Sequence, residues 1–311
     1  MTVPIMKNRY SMGFSLIEIA IVLVIIGLLA TFALGVTSQV LNKQRRDTTI
    51  ARLALIDSAL TLYVAQNKFL PCPADGTIPG TVASPNPLLG VERVSPSATA
   101  PAASRTSCSL ASQQNGILPW ITLGIALADA QDGWGNMFTY RVDESLVVSG
   151  SMDFTNCTPA GTAAAAGTTP NLTCAVPPLI SPVFPTSYSP TTAVTAGRGL
   201  RVKNFSGNQT LNDPSSVTGP PSTGAAYVVI SHGENQAGAY QYSGTLNTGF
   251  PASSLPEQQN YASNSYSPIA SAYLVDDATN YGDPGTHFDD FVLRPSILAV
   301  ANKAQLGPRA Y

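Results

Sequence analysis

The chain has 311 residues, of which 44% are hydrophobic and only 11% are charged, and its formal net charge is −2. A chain of this length can bury a sizeable core in one or two domains, and its charge excludes the basic surface typical of nucleic-acid-binding proteins. With four cysteines and two histidines, the composition favours an extracytoplasmic, β-rich protein over a cytosolic enzyme or a zinc-binding module.

Residues 19–42 are 24 consecutive positions without a charged side chain. As a helix with a rise of 1.5 Å per residue, they extend about 36 Å, enough to cross a hydrocarbon core of roughly 30 Å. A short leader with Lys7 and Arg9 precedes them, and the small residue Gly13 stands before the apolar run. An ordinary secretory signal carries its small-residue cleavage site after the run instead. The pattern therefore predicts a membrane helix that the mature protein retains.

A second, amphipathic segment continues this helix. Apolar residues recur there at three- and four-residue steps: Ile50, Leu53, Ile56, Leu60 and Val64. The first firm stop is the pair of prolines at positions 71 and 73. We expect one helix of roughly 50 residues by this pattern, with a transmembrane part at 14–36 and an amphipathic continuation at 37–69.

The sequence G-F-S-L-I-E, from Gly13 to Glu18, closely resembles the processing site of type IV prepilins. That family includes type IV pilins and the pseudopilins of type II secretion. The resemblance implies that a prepilin peptidase removes the leader 1–13 and methylates the new amine of Phe14. It also implies that Glu18 serves assembly, by pairing with the N-terminal amine of a neighbouring subunit.

The resemblance further implies a location and a set of partners. We expect a single-pass inner-membrane protein whose C-terminal domain, residues 70–311, is periplasmic or extracellular. Its partners would be membrane lipid, the inner-membrane assembly platform and other pilin or pseudopilin subunits, and nucleic acid would not be one. Three cations beyond the apolar run, Lys43, Arg45 and Arg46, outnumber the two in the leader and oppose this orientation by the positive-inside rule. The prepilin resemblance and the cysteines outweigh that count.

The domain after the helix reads as β-rich. The stretch D-G-W-G-N at residues 132–136 predicts a turn, followed by a strand at 137–142, and it resembles the first hairpin of major pseudopilins. A buried strand is predicted at 226–231 and a last strand near the C-terminus, whereas residues 150–197 predict a long low-complexity loop. The expected fold class is α+β, a pilin-like long N-terminal helix packed on a small antiparallel sheet with long loop insertions.

The four cysteines allow three pairings into two disulfides. We favour Cys72–Cys108 and Cys157–Cys174, because each closes a loop that is poor in secondary-structure signals. An even number of spaced cysteines is typical of an oxidising compartment.

Carboxylates near the C-terminus offer hard oxygen ligands for calcium. The candidates are Asp276, Asp277, Asp283, Asp289 and Asp290. Some major pseudopilins hold calcium in their last loop, which the resemblance brings to this chain as an expectation. The alternative is that these aspartates cap turns in solvent.

No catalytic constellation stands out, and we expect no enzyme. Ser231, His232 and Glu234 are adjacent in sequence without a nucleophile elbow and predict a turn after a strand. The function predicted is a structural subunit, minor or pseudopilin-like, of a type IV pilus or type II secretion filament. The alternative is a filament-tip adhesin that displays the loop at 150–197. A periplasmic enzyme on a pilin anchor would need a polar constellation that the sequence lacks.

Processing gives the first testable prediction. Cleavage after Gly13 removes Lys7 and Arg9 and leaves 14 basic against 18 acidic residues, a mature net charge of −4. Intact-mass measurement of membrane-extracted protein should show the loss of residues 1–13 and one added methyl group. A chain that starts at Met1, or is cut beyond Ala30, contradicts the prepilin interpretation.

Overall fold

The computed structural model describes residues 15–80, 86–95, 107–108, 115–153, 199–204, 210–213, 224–249, 255–262, 274–276 and 288–307. The predicted leader, the cleavage site at Gly13 and Phe14, and the candidates Cys157, Cys174, Asp277 and Asp283 lie outside these residues. The chain divides into two compact units, Met1–Arg45 and Arg46–Tyr311.

Helix α1 spans Leu16–Asn67 without interruption, a length of 52 residues. It ends where Lys68 adopts a left-handed backbone with a φ of 64°, three residues before the first of the two prolines. The helix thus stops two residues earlier than predicted. A single continuous helix of this length agrees with the predicted helix of roughly 50 residues.

By length and composition, one helix among the described residues could cross a membrane: the segment Gln39–Asn67 meets that test, and the shorter apolar segment Leu16–Leu28 precedes it. The core helix of a soluble protein passes the same test, and Gln39–Asn67 buries one of its faces in the domain. An apolar N-terminal helix of this kind is compatible with a single-pass membrane protein.

The second unit contains a mixed α and β domain. Its strands in the described residues are β1 (Ala74–Asp75), β2 (Val94–Ser95), β3 (Ser107–Cys108), β4 (Gly116–Ile117), β5 (Thr139–Val142), β6 (Val202–Lys203), β7 (Thr210–Asn212), β8 (Tyr227–Ser231), β9 (Leu274–Val275) and β10 (Phe291–Leu293). The main sheet has the order β1-β4-β5-β8-β10 and is antiparallel throughout. A long apolar N-terminal helix with an antiparallel sheet confirms the α+β prediction.

Two small sheets accompany the main one. Strands β2 and β3 pair antiparallel, and β6 lies between β7, antiparallel to it, and β9, parallel to it. The predicted strands at 137–142 and 226–231 correspond to β5 and β8, which pair through Thr139 with Ile230 and Val142 with Tyr227. All five side chains of β8 are buried, as its run of β-branched and aromatic residues leads us to expect.

The short helices are α2 (Trp120–Leu123), α3 (Leu255–Ala262) and α4 (Ile297–Lys303), with single 3₁₀ turns at Leu127–Ala130 and Glu144–Leu146. Ser296 caps the N-terminus of α4, and its hydroxyl accepts a hydrogen bond from the Ala299 N–H at 3.3 Å. It buries Ile297 and Val300 in the main core. The sequence does not predict this helix.

One face of α1 packs into the core of the second unit through Leu53, Ile56, Leu60 and Val64. Ile50, predicted on the same face, is 54% exposed. Thr49 takes its place in the interior and is fully buried, because its hydroxyl accepts the Gly133 N–H at 2.9 Å. Thr49 lies four residues before Leu53 and Ile50 lies three residues before it, and either spacing continues the buried stripe of a helix.

Cys72 and Cys108 form a disulfide, the first of the two favoured pairings. It joins the segment after α1 to β3, and both cysteines are buried in the main core. The bridge closes a loop with a sequence separation of 36.

Removing this bridge should destabilise the domain. In the chain-entropy picture, opening a loop of this length costs about 4 kcal/mol, before any strain is counted. The variant Cys72→Ala/Cys108→Ala of the full chain, unfolded by urea in detergent micelles, should lose about that much unfolding free energy. Wild type and variant, compared with each other under reducing conditions, serve as the control and should agree, because reduction also opens the predicted Cys157–Cys174 bridge in both. Unchanged stability of the variant under oxidising conditions would show that the denatured chain is already compact.

Candidate functional site

The N-terminal end of α1 carries the first candidate residue, Glu18. Its side chain is exposed, and its Oε2 accepts a hydrogen bond from the Ser15 N–H at 3.1 Å. Serine followed three residues later by glutamate is the sequence pattern of a capping box, in which the glutamate closes back on the first residue. Glu18 thus has a local role at the helix start, which the sequence pattern S-x-x-E could have revealed.

The surface around Glu18 is apolar. Ten large side chains between positions 16 and 28 are at least half exposed: Leu16, Ile17, Ile19, Ile21, Val22, Leu23, Val24, Ile25, Ile26 and Leu28. Because they occupy nearly every position, they cover all sides of the helix rather than one stripe. Soluble monomers rarely expose a contiguous apolar surface of this size, and such a surface usually contacts lipid or another protein.

The amphipathic half of α1 also has an apolar outer face. Ile50, Leu55 and Leu62 are 54%, 40% and 60% exposed on the side away from the buried stripe. The small residues Ala54 and Ser58 are exposed between them. A second helix could approach this face closely, because small side chains allow short distances between helix axes.

The predicted turn at residues 132–136 is present and holds α1 in place. The Asp132 Oδ1 accepts the N–H groups of Trp134 and Asn136, at 3.0 and 2.9 Å, and its Oδ2 accepts the Ser231 hydroxyl at 2.7 Å. Burial raises the pKa of Asp132, against the opposing effect of these hydrogen bonds. Arg52 of α1 donates to the carbonyls of residues 131 and 132, each at 3.0 Å. The role of this turn is structural, as its glycines and its packing tryptophan indicate.

Three of the aspartates proposed for calcium lie in the described residues, and they separate into two groups. Asp276 forms an ion pair with Arg294, with 2.5 Å between Oδ2 and Nε. Asp289 and Asp290, which lead into β10, lie instead with Glu257 of α3, and one ligand atom from each of the three lies within 4.8 Å of the others. All three carboxylates are buried. The sequence misses Glu257, although α3 places Glu257 and Asn260 on one helix face by their three-residue spacing.

Amide donors hold the acidic cluster, which is defined by Glu257, Asp289 and Asp290. Asn235 Nδ2 donates to Glu257 Oε2 at 2.8 Å, and Asn260 Nδ2 donates to Asp290 Oδ2 at 2.6 Å. Backbone N–H groups of the turn after β8 donate to Asp289 Oδ2 at 2.7 and 3.0 Å. These neutral donors orient the carboxylates without cancelling their charge.

Burial raises the pKa of Asp290 well above its usual value; the Asn260 hydrogen bond opposes this, whereas the charges of Glu257 and Asp289 add to it. Asp290 Oδ1 makes no hydrogen bond to the part of the chain that the structure describes. A carboxylate in this setting favours either a proton or a cation, because its ionised form lacks both solvent and a compensating charge.

His232 borders the acidic cluster. Its Nδ1 lies 3.7 Å from Asp290 Oδ1, and its Nε2 shares a hydrogen bond with the Thr139 hydroxyl at 2.9 Å. Burial, with a smaller contribution from the Arg141 charge, lowers the pKa of His232 to about 3. The imidazole is therefore neutral at pH 7 and does not offset the negative charge of the cluster. Ser231 and His232 end the buried strand β8 and start a turn, and Ser231 bonds to Asp132 rather than to His232.

Most of the loop predicted to display an adhesin surface, residues 150–197, lies outside the described residues.

No protein-family profile matches the chain, and neither a similar curated protein nor a similar solved structure is found.

The charge state of Asp290 gives a prediction for the stability of the chain in EDTA, which removes any divalent cation from the carboxylates. The pKa of Asp290 is higher in the folded state than in the unfolded state. The group therefore contributes its full stability at pH values below its unfolded-state pKa, and this contribution is lost as the pH rises through its folded-state pKa. At pH 7 the isosteric variant Asp290→Asn, which keeps an acceptor for Asn260, should therefore be more stable than wild type. Melting curves of both proteins between pH 7 and pH 5 should converge as the pH falls. A variant less stable than wild type at every pH contradicts the assignment.

Proposed function

We propose that the chain is a structural subunit, minor or pseudopilin-like, of a type IV pilus or type II secretion filament, with a pilin-like fold. The main observation in support is the exposed apolar segment Leu16–Leu28. It starts a helix whose other half packs in the core of a folded domain. The prepilin-like sequence from Gly13 to Glu18 stands immediately before this segment, so processing would place Phe14 at the new N-terminus.

The exposed apolar side chains need an environment other than water. Fully burying an exposed large aliphatic side chain is worth about 1.5–3 kcal/mol, so the ten between positions 16 and 28, mostly about half exposed, represent on the order of 10 kcal/mol before the cost of association. Lipid would supply that environment before assembly and neighbouring helices would supply it within a filament. Contacts between non-identical surfaces of successive subunits propagate instead of closing, which suits a helical filament.

Glu18 has a second role in this proposal. The Ser15 N–H engages only Oε2, and Phe14 stands four residues before Glu18 in the sequence, a spacing that brings two residues together on a helix. The amine of a neighbouring subunit, shifted along the filament axis, could then meet this carboxylate. Such a pair at 4 Å gains about 1 kcal/mol in water and about 4 kcal/mol at an effective dielectric of 20. The pairing is therefore worth most inside a packed bundle.

The compartment and partners follow from the same proposal. The subunit would reside in the inner membrane with its second unit outside the cytoplasm, where the Cys72–Cys108 disulfide is stable. Its partners would be the prepilin peptidase, the assembly platform and other subunits. The role would be structural, without catalysis.

We also propose that the acidic cluster binds calcium. Three buried carboxylates supply hard oxygens whose mutual distances, within 4.8 Å, fit inside a calcium shell about 5 Å across. The fully buried Asp290 Oδ1, without a hydrogen bond in the described residues, is a second observation in favour of a cation. Asp276 would not take part, because it is paired with Arg294.

The filament proposal is tested at Glu18. Glu18→Ala should still be cut after Gly13 and held in the membrane, yet enter filaments poorly, because the amine loses its partner. Glu18→Gln should behave nearly as badly: glutamine can still accept the Ser15 hydrogen bond, but it has no charge. The measurements are the processed mass, the membrane fraction and the amount of subunit in sheared filaments.

A matched control is Asp47→Asn, which removes one exposed carboxylate from the same helix and should assemble normally. If Glu18→Gln assembles like wild type while Glu18→Ala does not, Glu18 acts as a helix cap. If both assemble normally, the pairing idea is wrong.

The calcium proposal is tested by thermal unfolding of the full chain in detergent. A ligand that prefers the native state stabilises it by about 2.7 kcal/mol at one hundred times its Kd, so calcium should raise the melting temperature of wild type. Asp289→Ala and Asp290→Asn should abolish the rise, whereas Asp276→Asn should retain it. No shift at millimolar calcium would leave the cluster as a protonated, purely structural group.

A further inference from the structure

The acidic cluster lies at the ends of two paired strands, β8 and β10. Asp289 and Asp290 immediately precede β10, and the turn that follows β8 donates two N–H groups to Asp289. The two strands pair antiparallel, with Phe291 opposite Ser231. Phe291 is the first residue of β10 and Ser231 is the last residue of β8. The two residues are thus fixed beside the cluster by the backbone of the strands that carry it.

Phe291 and Ser231 both contact the turn at residues 132–136. The centre of the Phe291 ring lies 6.1 Å from that of the Trp134 ring. The Ser231 hydroxyl donates to the Asp132 Oδ2 at 2.7 Å, and the Oδ1 of the same carboxylate accepts two backbone N–H groups of the turn. An aromatic contact and a polar contact therefore join the two strands to one turn.

Three side chains of α1 contact this turn or Phe291. The Thr49 hydroxyl accepts the Gly133 N–H at 2.9 Å, and Arg52 donates to two carbonyls at the start of the turn, each at 3.0 Å. The guanidinium of Arg46 lies 5.5 Å from the centre of the Phe291 ring. Positions 46, 49 and 52 are three residues apart and share one helix face. These three residues form the helix clamp, and they lie in the first part of α1 that belongs to the second unit.

We propose that cation binding at the acidic cluster strengthens the attachment of α1 to the domain through the helix clamp. The inference rests on the calcium binding proposed above. Three buried carboxylates that are ionised and hold no cation repel one another, and this force pushes apart β10, the turn after β8 and α3. A divalent cation between the carboxylates reverses the force. The strands then hold Phe291 and Ser231 in place, and these two residues hold the turn against the clamp.

Coupling of this kind is reciprocal. If a bound cation favours the clamp contacts, the clamp contacts raise the affinity for the cation by the same factor. The clamp residues lie on α1, whereas the cluster carboxylates lie on α3 and directly before β10. Removing a clamp contact should therefore weaken calcium binding from a distance. For Arg46, simple electrostatics predicts the opposite, because the loss of a positive charge makes the surroundings more attractive to a cation.

The test measures the calcium Kd of the full-length chain in detergent by isothermal titration calorimetry. Thr49→Val, which keeps the shape of the side chain and loses its hydroxyl, should raise the Kd at least about fivefold, the lower end of typical allosteric coupling. Arg46→Gln should raise the Kd as well. The matched control is Lys303→Gln on α4, which also removes one positive charge and one contact of α1, the ion pair with Asp57. This variant should bind calcium as wild type does.

A second measurement follows hydrogen exchange of the Gly133 amide, which donates to the Thr49 hydroxyl. If the opening that frees this amide also empties the site, calcium at one hundred times its Kd should slow the exchange in wild type about a hundredfold. Unchanged Gly133 exchange in a wild type that binds calcium would overturn the proposal. Equal Kd values for wild type and both clamp variants, or the same weakening in Lys303→Gln, would overturn it too. A flat calcium titration of wild type contradicts the calcium binding itself, and this inference with it.

Discussion

One helix backbone meets two different surroundings in this protein. Helix α1 satisfies its own hydrogen bonds along Leu16–Asn67, so its backbone tolerates water, protein or lipid equally. Its side chains decide the difference, since large apolar residues are exposed on all sides between positions 16 and 28 but lie in a buried stripe from Leu53 to Val64. The rest of the domain depends on that stripe, because the main sheet has no other long helix in the described residues to pack against.

A connected polar path fixes the helix on this core. Thr49 and Arg52 bond to backbone groups of residues 131–133, and Asp132 continues the path to Ser231 at the end of β8. The buried polar groups on this path, those of Thr49, Asp132 and Ser231, would each cost about 1–3 kcal/mol if left without a partner. Apolar packing alone would allow α1 to slide along its axis, whereas these directional bonds specify one register.

Periodicity and turn chemistry make α1, the turn at residues 132–136 and the strands β5 and β8 predictable from the sequence. The burial of Thr49 in place of Ile50 is not predictable, because both positions suit the helical period and only the partner, Gly133, decides. The acidic cluster is harder still, since Glu257 and Asp289 are 32 positions apart and meet only through the packing of α3 beside β10. The sequence before β10 shows that carboxylates are available for a metal ion. It does not show which of them come together in the folded domain.

Two carboxylates of this chain, Glu18 and Asp290, show how the same desolvation cost can arise at different stages. For Asp290 the cost arises on folding, because the domain itself buries the group among two other acids. Glu18 is exposed in the single chain, so its cost would arise only when lipid or neighbouring helices surround it. A positive charge therefore offsets the desolvation cost of Asp290 best when it binds within the folded domain. For Glu18, it does so best when it comes from a neighbouring molecule in an assembly. In the proposed filament, this difference makes the amine of the next subunit the natural partner of the Glu18 charge.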